Sequence, residues 1–171
     1  MVDIKIHGYY PGVVGKITEI HAVYYHEHWG FDASFETQVG RELSIFVSEF
    51  DEERDGLWVA TVGEKFAGSV AIDGHNAETE GARLRWFIVE PEFQNAGLGK
   101  KLISFAVEFC KKRQYSKIFL WTFEGLDAAH RLYEDHNFRL SETHDLRQWG
   151  QQITEQKFEL LLGDPAAQRN E

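Results

Sequence analysis

At 171 residues and 43% hydrophobic, with 13 Phe and 5 Trp, the chain has the length and apolar content of one two-layer core. A net charge of −10 argues against nucleic acid as its ligand, and neither an apolar run of membrane-spanning length nor a secretory leader is legible, so a cytoplasmic protein without a membrane partner is expected. The single cysteine, Cys110, has no partner for an intrachain disulfide and falls on the apolar face of a predicted helix, where core packing is expected.

In chain order, Asp3 to Tyr9 reads as a strand, ended by Gly8 and Pro11-Gly12. Val13, Ile17, Ile20 and Tyr24 recur at helical spacing and predict a first helix to His28, which Gly30 ends. A second helix is predicted with Ser34 as N-cap and an apolar stripe of Phe35, Val39, Leu43, Phe46 and Phe50. Leu57–Val62 and Phe66–Ile72 flank Gly63-Glu64-Lys65 as a hairpin, and a polar loop follows from Asp73 to Gly81. Ala82–Val89 reads as a strand whose regular alternation puts Leu84, Trp86 and Ile88 on one face and Arg83, Arg85 and Phe87 on the other, unless a bulge shifts it.

The stretch from Val89 to Leu102 organises the chain: a strand ends, turns through small residues and enters a helix at once. Gly97 and Gly99 lack side chains where a backbone must approach a ligand, and the unpaired N–H groups of a helix start, with its dipole, suit a phosphate. A dinucleotide fingerprint would need glycine at Leu102, and a Walker loop would need glycine at Gln94 and Ser or Thr at Lys101, so neither fits. The helix then buries Leu98, Leu102, Ala106 and Cys110, with Lys111, Lys112 and Arg113 at its C-terminus. Lys117–Phe123 is nearly continuous apolar sequence, as a strand covered on both faces requires. Asp127–His136 reads as a helix, two strands follow Phe138 with a turn near Trp149-Gly150, and the tail from Gly163 reads as disordered.

Gln94-x-x-Gly97-x-Gly99 after Val89-x-Pro91, together with Ala128-Ala129-x-x-Leu132-Tyr133-Glu134-x-x-Asn137-Phe138, resembles the GNAT superfamily of N-acetyltransferases. The resemblance covers nearly the whole chain and implies an α/β (α+β, three-layer) GNAT fold over residues 1–163: a mixed, mostly antiparallel sheet of about seven strands flanked by four helices. The segments around Tyr10-Pro11-Gly12, Tyr24–Phe31 and Arg83–Phe87 look most like the acetyltransferase half of proteins that join a MarR-type regulator to a GNAT domain, and the chain begins after the place where that regulator would end.

By that resemblance, acetyl-CoA is the acyl donor, with no metal and no covalent enzyme intermediate. It is expected against Phe87, Ile88 and Val89, against Gln94, Asn95, Ala96, Gly97, Leu98, Gly99 and Lys100 of the loop, and against Asp127, Ala128, Ala129 and Tyr133. Lys100 and Lys101 supply positive charge for this polyanion. Tyr133 is implied as general acid for the departing thiolate, and a backbone N–H near Ile88 or Val89 as oxyanion donor. The chain departs from the family pattern at Asn137 (usually glycine), Gln94 (commonly arginine) and Leu126 (asparagine in many members). At Arg83 histone-type members carry a catalytic glutamate, so another group or a water chain must take the proton; His26, Glu27 and His28 are the candidates, and they read equally as a solvated helix end.

The acceptor is expected to be a small-molecule amine, an amino acid among the candidates, met by Arg83, Arg85, Trp86, His26, Trp29 and Trp121. Two readings of the arginines stand side by side: neutralisation by internal acids such as Glu19, Glu36 or Glu42, or a substrate carboxylate. The tryptophans read equally as core, and His21, His26 and His28 match no zinc spacing. The alternative function is a non-catalytic acyl-CoA sensor or interaction module on the same fold. A homodimer is compatible with either.

Overall fold

The computed structural model describes residues 3–163, so the expected tail beyond Gly163 lies outside the described residues. The elements run β1 (Ile4–His7), α1 (Val13–Trp29), α2 (Ala33–Ser48), β2 (Gly56–Val62), β3 (Lys65–Asp73), β4 (Ala82–Val89), α3 (Leu98–Lys112), β5 (Lys117–Phe123), α4 (Asp127–Asp135), β6 (Arg139–Gln148) and β7 (Gln151–Leu161). The strands form one seven-stranded sheet in the order β1-β2-β3-β4-β5-β7-β6, antiparallel except between β4 and β5.

Two apolar cores lie on opposite faces of this sheet. On one, Val13 and Ile17 of α1 and Phe35, Val39, Leu43 and Phe46 of α2 pack on Val59, Ala71, Trp86 and Ile88. On the other, Leu98, Leu102, Ile103 and Ala106 of α3 and Tyr133 of α4 pack on Val70, Leu84, Ile118 and Leu120. Each fully buried Leu or Ile here contributes about 1.5–3 kcal/mol, so the helical stripes dock the helices. Cys110 is buried in the second core, and burial pushes its thiol up to about 12.

The elements follow the expected spacing, with two local differences in α2 and one in β4. The cap of α2 is Asp32, not Ser34: its side chain accepts a hydrogen bond from the Ser34 backbone N–H at 2.9 Å, and the helix starts one residue later at Ala33. Phe50, expected in the α2 stripe, lies beyond the helix end and is partly exposed.

The alternation of β4 differs from the regular reading. Against β3, Ser69 pairs with Ile88 and Ala71 with Arg85, so two residues of β4, Trp86 and Phe87, oppose the single Val70. Trp86 takes a positive φ of 48°, and Ser69 Oγ–H donates to its carbonyl at 2.8 Å. The extra residue turns Trp86 to the α1/α2 core and Phe87 to the α3 core, while Leu84 stays with α3. Arg85 and Trp86, neighbours in sequence, therefore share a face.

Candidate active site

β4 and β5 pair at Ala82↔Ile118 and Arg83↔Phe119 and then diverge. A cleft of about 1080 Å³ runs through this opening from one face of the sheet to the other. On the α3 side it is lined by Val89, Gly97, Gly99, Lys100, Asp127 and Tyr133, and on the α1/α2 side by His21, Tyr24, Trp29, Arg83, Trp121 and Glu155.

The loop between β4 and α3 contains one turn of 3₁₀ helix, Pro91–Phe93. Gln94 Nε2–H donates to the Val89 carbonyl at 3.1 Å, which ties the loop to the strand end. Gly97 caps α3 in the left-handed region, φ 79°, with no side chain bonded to the first turn, and a β-carbon there would point into open space. The two glycines have different reasons: a β-carbon on Gly99 would sit 2.8 Å from Leu132 Cδ1 and 3.4 Å from Phe87 Cζ, so Gly99 lets α3 approach α4 and β4. A helix start with free N–H groups, an open approach over Gly97 and the Lys100 ammonium fit an anion such as a pyrophosphate.

Phe87, Ile88, Gln94, Asn95, Ala128 and Ala129 also line the cleft, whereas Leu98 is buried in the α3 core and Ala96 is exposed on the loop, neither of them on its wall. Asn95 and Asn137 both adopt positive φ, 67° and 70°, a conformation asparagine tolerates. Tyr133 is only 5% exposed, its ring 6.0 Å from Phe87 and 5.8 Å from Phe158. Burial, and secondarily Tyr25, push its phenol well above the ordinary range, so it stays protonated.

On the α1/α2 side, Arg85, Trp86, Trp29 and Trp121 line the cleft. Arg85 is already engaged, with Glu42 at 2.7 Å and Asp73 at 3.3 Å, which is the internal neutralisation considered for the pair. The Arg83 side chain makes no hydrogen bond or ion pair among the described residues; burial and the Arg85 charge hold its pKa below the ordinary value, against the pull of Glu42, Asp73 and Glu155. Exposed His26 does not reach the cleft wall: its Nδ1 bonds the Phe31 carbonyl at 2.9 Å and closes the end of α1. His28 does line the cleft, and Glu27 does not.

Three lining residues had no local signal in the sequence. His21 is buried, its Nδ1–H donates to the Ile17 carbonyl at 2.8 Å, and burial lowers its pKa to about 4, so it is neutral at physiological pH. Glu155 of β7 and Gln148 at the end of β6 reach the cleft from strands far along the chain. Among the described residues no group of three or more His, Cys, Asp or Glu is placed to hold a metal ion, and no helix is long and apolar enough to cross a membrane.

This strand–loop–helix junction beside a splayed parallel pair is that of an acetyltransferase fold, and the sequence profile of the Acetyltransferase (GNAT) family matches residues 15–138. The chain belongs to that family. Over 83 residues it is 37% identical to the N-acetylaspartate synthetase of Xenopus tropicalis, covering 48% of this chain and 30% of the relative. Over 103 residues it is 29% identical to an uncharacterized N-acetyltransferase of Methanocaldococcus jannaschii, covering 58% and 46% respectively. The chain thus spans less than half the length of these curated relatives. The fold is similar, with a TM-score of 0.75 and 15% identity over 95% of this chain and 96% of the other, to a Salmonella typhimurium protein assigned as an acetyltransferase and solved with its cofactor acetyl-CoA.

Proposed function

We propose that the protein transfers the acetyl group of acetyl-CoA to the primary amine of a small molecule. The observation that carries this reading is a cleft crossing the sheet, with the glycine loop and the start of α3 at one mouth, Tyr133 on the wall and an aromatic and charged chamber at the other mouth. A sensor of acyl-CoA needs only the first mouth. The relatives named as N-acetyltransferase and N-acetylaspartate synthetase support the same class of reaction. The kinship of individual segments with MarR-type regulator fusions remains a resemblance and carries no part of this reading.

When bound, acetyl-CoA supplies an activated thioester, and its pyrophosphate would be held by the N–H groups at the start of α3 and by Lys100. Phe87, Ile88 and Val89 bring the end of β4 alongside the splay, where a backbone N–H steadies the developing oxyanion. The splay sets nucleophile and carbonyl in contact, which supplies much of the rate by orientation. The Tyr133 phenol, protonated at every working pH, donates its proton to the departing sulfur. Attack is direct, with no acyl-enzyme.

Thiol release from acetyl-CoA, followed with a panel of primary amines, tests the proposal. Amine-dependent release with stoichiometric N-acetyl product is expected. Tight binding of acetyl-CoA with no turnover on any amine would instead assign the fold to sensing.

A further inference from the structure

Among the described residues, four buried polar side-chain atoms lack a hydrogen-bond partner: Arg83 Nε, His130 Nε2, Gln148 Oε1 and Gln156 Oε1. Of these residues, Arg83 and Gln148 line the main cleft, and His130 and Gln156 do not. Buried polar atoms are nearly always satisfied in folded proteins, because leaving one bare costs the full desolvation of the group. Two residues of one cleft wall, one holding a bare donor and the other a bare acceptor, suit a ligand that both accepts and donates.

The charges make the description more specific. Arg83 and Glu155 each line the cleft, feel each other's charge, and form no ion pair within 4.0 Å with each other or with any other described residue. They approach from two sides of β5: Arg83 pairs in register with Phe119, and Glu155 with Phe123. Trp121 lies between those two β5 positions and also lines the cleft. Arg85, by contrast, is consumed by Glu42 and Asp73, and Lys157, which lies over the Trp121 ring, is paired with Glu159 at 3.3 Å.

A purely cationic acceptor, such as a diamine, would place a second positive charge against Arg83. A purely anionic one would meet Glu155 and Glu42. A dipolar acceptor matches both free charges and leaves the balance of the chamber unchanged.

We infer that the acceptor is a zwitterionic amine, with its carboxylate on Arg83 and its ammonium on Glu155 and Gln148, and that Glu155 takes the proton which frees the amine. The inference rests on the acetyl-transfer reading above. The proton passes from the ammonium nitrogen to a Glu155 carboxylate oxygen and from there to solvent. The freed lone pair forms the C–N bond as the C–S bond breaks. Tyr133 protonates the thiolate, and the second proton, shed by the new amide nitrogen, restores the phenol. Ammonium and thioester thus give amide, thiol and one released proton.

Steady-state kinetics on matched acceptors decide the matter: glycine, β-alanine and γ-aminobutyrate against methylamine, ethylamine and propylamine, with isothermal titration of acetyl-CoA as the control for folding. The wild-type protein should favour the best carboxylate-bearing member over its partner by about 10-fold or more in kcat/KM, as expected when a charge-assisted contact is lost. Arg83→Met should erase that preference, and Arg83→Lys should restore part of it. Glu155→Gln should lower kcat by about 10²–10⁴-fold, and its rate should climb with pH toward the acceptor's own amine pKa. Equal turnover of both members of every pair by the wild type would overturn the inference while leaving acetyl transfer standing, and so would a Glu155→Gln variant with the wild-type pH profile. Absence of transfer to any amine would instead count against the underlying function.

Discussion

The guanidinium carbon of Arg85 lies 4.2 Å over the ring of Trp86, the next residue on the same strand. Successive side chains of a regular strand point to opposite faces, so this stacking exists only because β4 carries an extra residue at Trp86 and Phe87. The same arginine bridges Glu42 of α2 and Asp73 at the end of β3, its side chain 12% exposed. Arg85→Met should therefore act on stability. Removing it strands two partly buried carboxylates and lowers stability by about 2 kcal/mol. For a chain of this size that is a fall of about 4–8 °C in Tm. Calorimetry of the variant, with acetyl-CoA affinity measured alongside, checks it: an unchanged Tm would refute the scaffold role.

Gly97→Glu tests the loop. Its φ of 79° makes any β-carbon cost about 1–2 kcal/mol, yet the space above it is open, so the variant should fold with reduced stability while its carboxylate occupies the anion site. Isothermal titration should find acetyl-CoA binding lost or weakened by orders of magnitude. Unaltered affinity in a folded variant would move the pyrophosphate elsewhere.

Tyr133→Phe keeps the ring contacts with Phe87 and Phe158 and deletes only the hydroxyl. Turnover should fall by about 10²–10⁴-fold with acetyl-CoA affinity nearly intact. Because burial raises the phenol's pKa, the wild-type rate should show no loss attributable to Tyr133 up to about pH 10. A Phe variant with wild-type kcat would reduce Tyr133 to packing.

His21 gives the fold a specific acid sensitivity. Its ring titrates near 6.5 in the unfolded chain and at about 4 when buried. Between those values the unfolded state binds the extra proton, so the stability contributed by the neutral ring is fully present above about pH 6.5 and is lost as pH falls toward 4. Urea unfolding at about pH 7 and about pH 4.5 should show a wild-type loss exceeding that of His21→Leu by about 2–3 kcal/mol. Identical losses in the two proteins would show that His21 does not carry it.

The order of elements was readable because its signals are local: helical spacing in α1 to α3, the Gly63-Glu64 turn, and the glycine loop feeding α3. The family resemblance placed Tyr133 and the loop on one cleft for the same reason, since each lies within a short contiguous motif. The bulge had no such signal, because one inserted residue in β4 is defined by its pairing with Val70 of another strand. Asp32 takes the cap in place of Ser34, both being competent residue types, and its backbone N–H is held by the Trp149 carbonyl at 3.0 Å, a partner far along the chain. Glu155, Gln148 and His21 come from β7, β6 and α1, and only the folded sheet brings them to one chamber, whereas His26, nearer in sequence to the aromatic cluster, is turned to a backbone carbonyl.

The splay between β4 and β5 also gives the sheet a pair of interior edges. A strand edge is ordinarily a hazard, because its bare amides and carbonyls can template the addition of another chain. β6, at the outer edge, is guarded by charged side chains such as Arg139, Glu142, Asp145 and Arg147. The edges past Arg83 and Phe119 instead face each other across the cleft, whose wall is completed by residues of α1, α2, α3 and α4. A linear molecule with amide groups along its length can be gripped there by main chain alone, whatever side chains mutation places nearby.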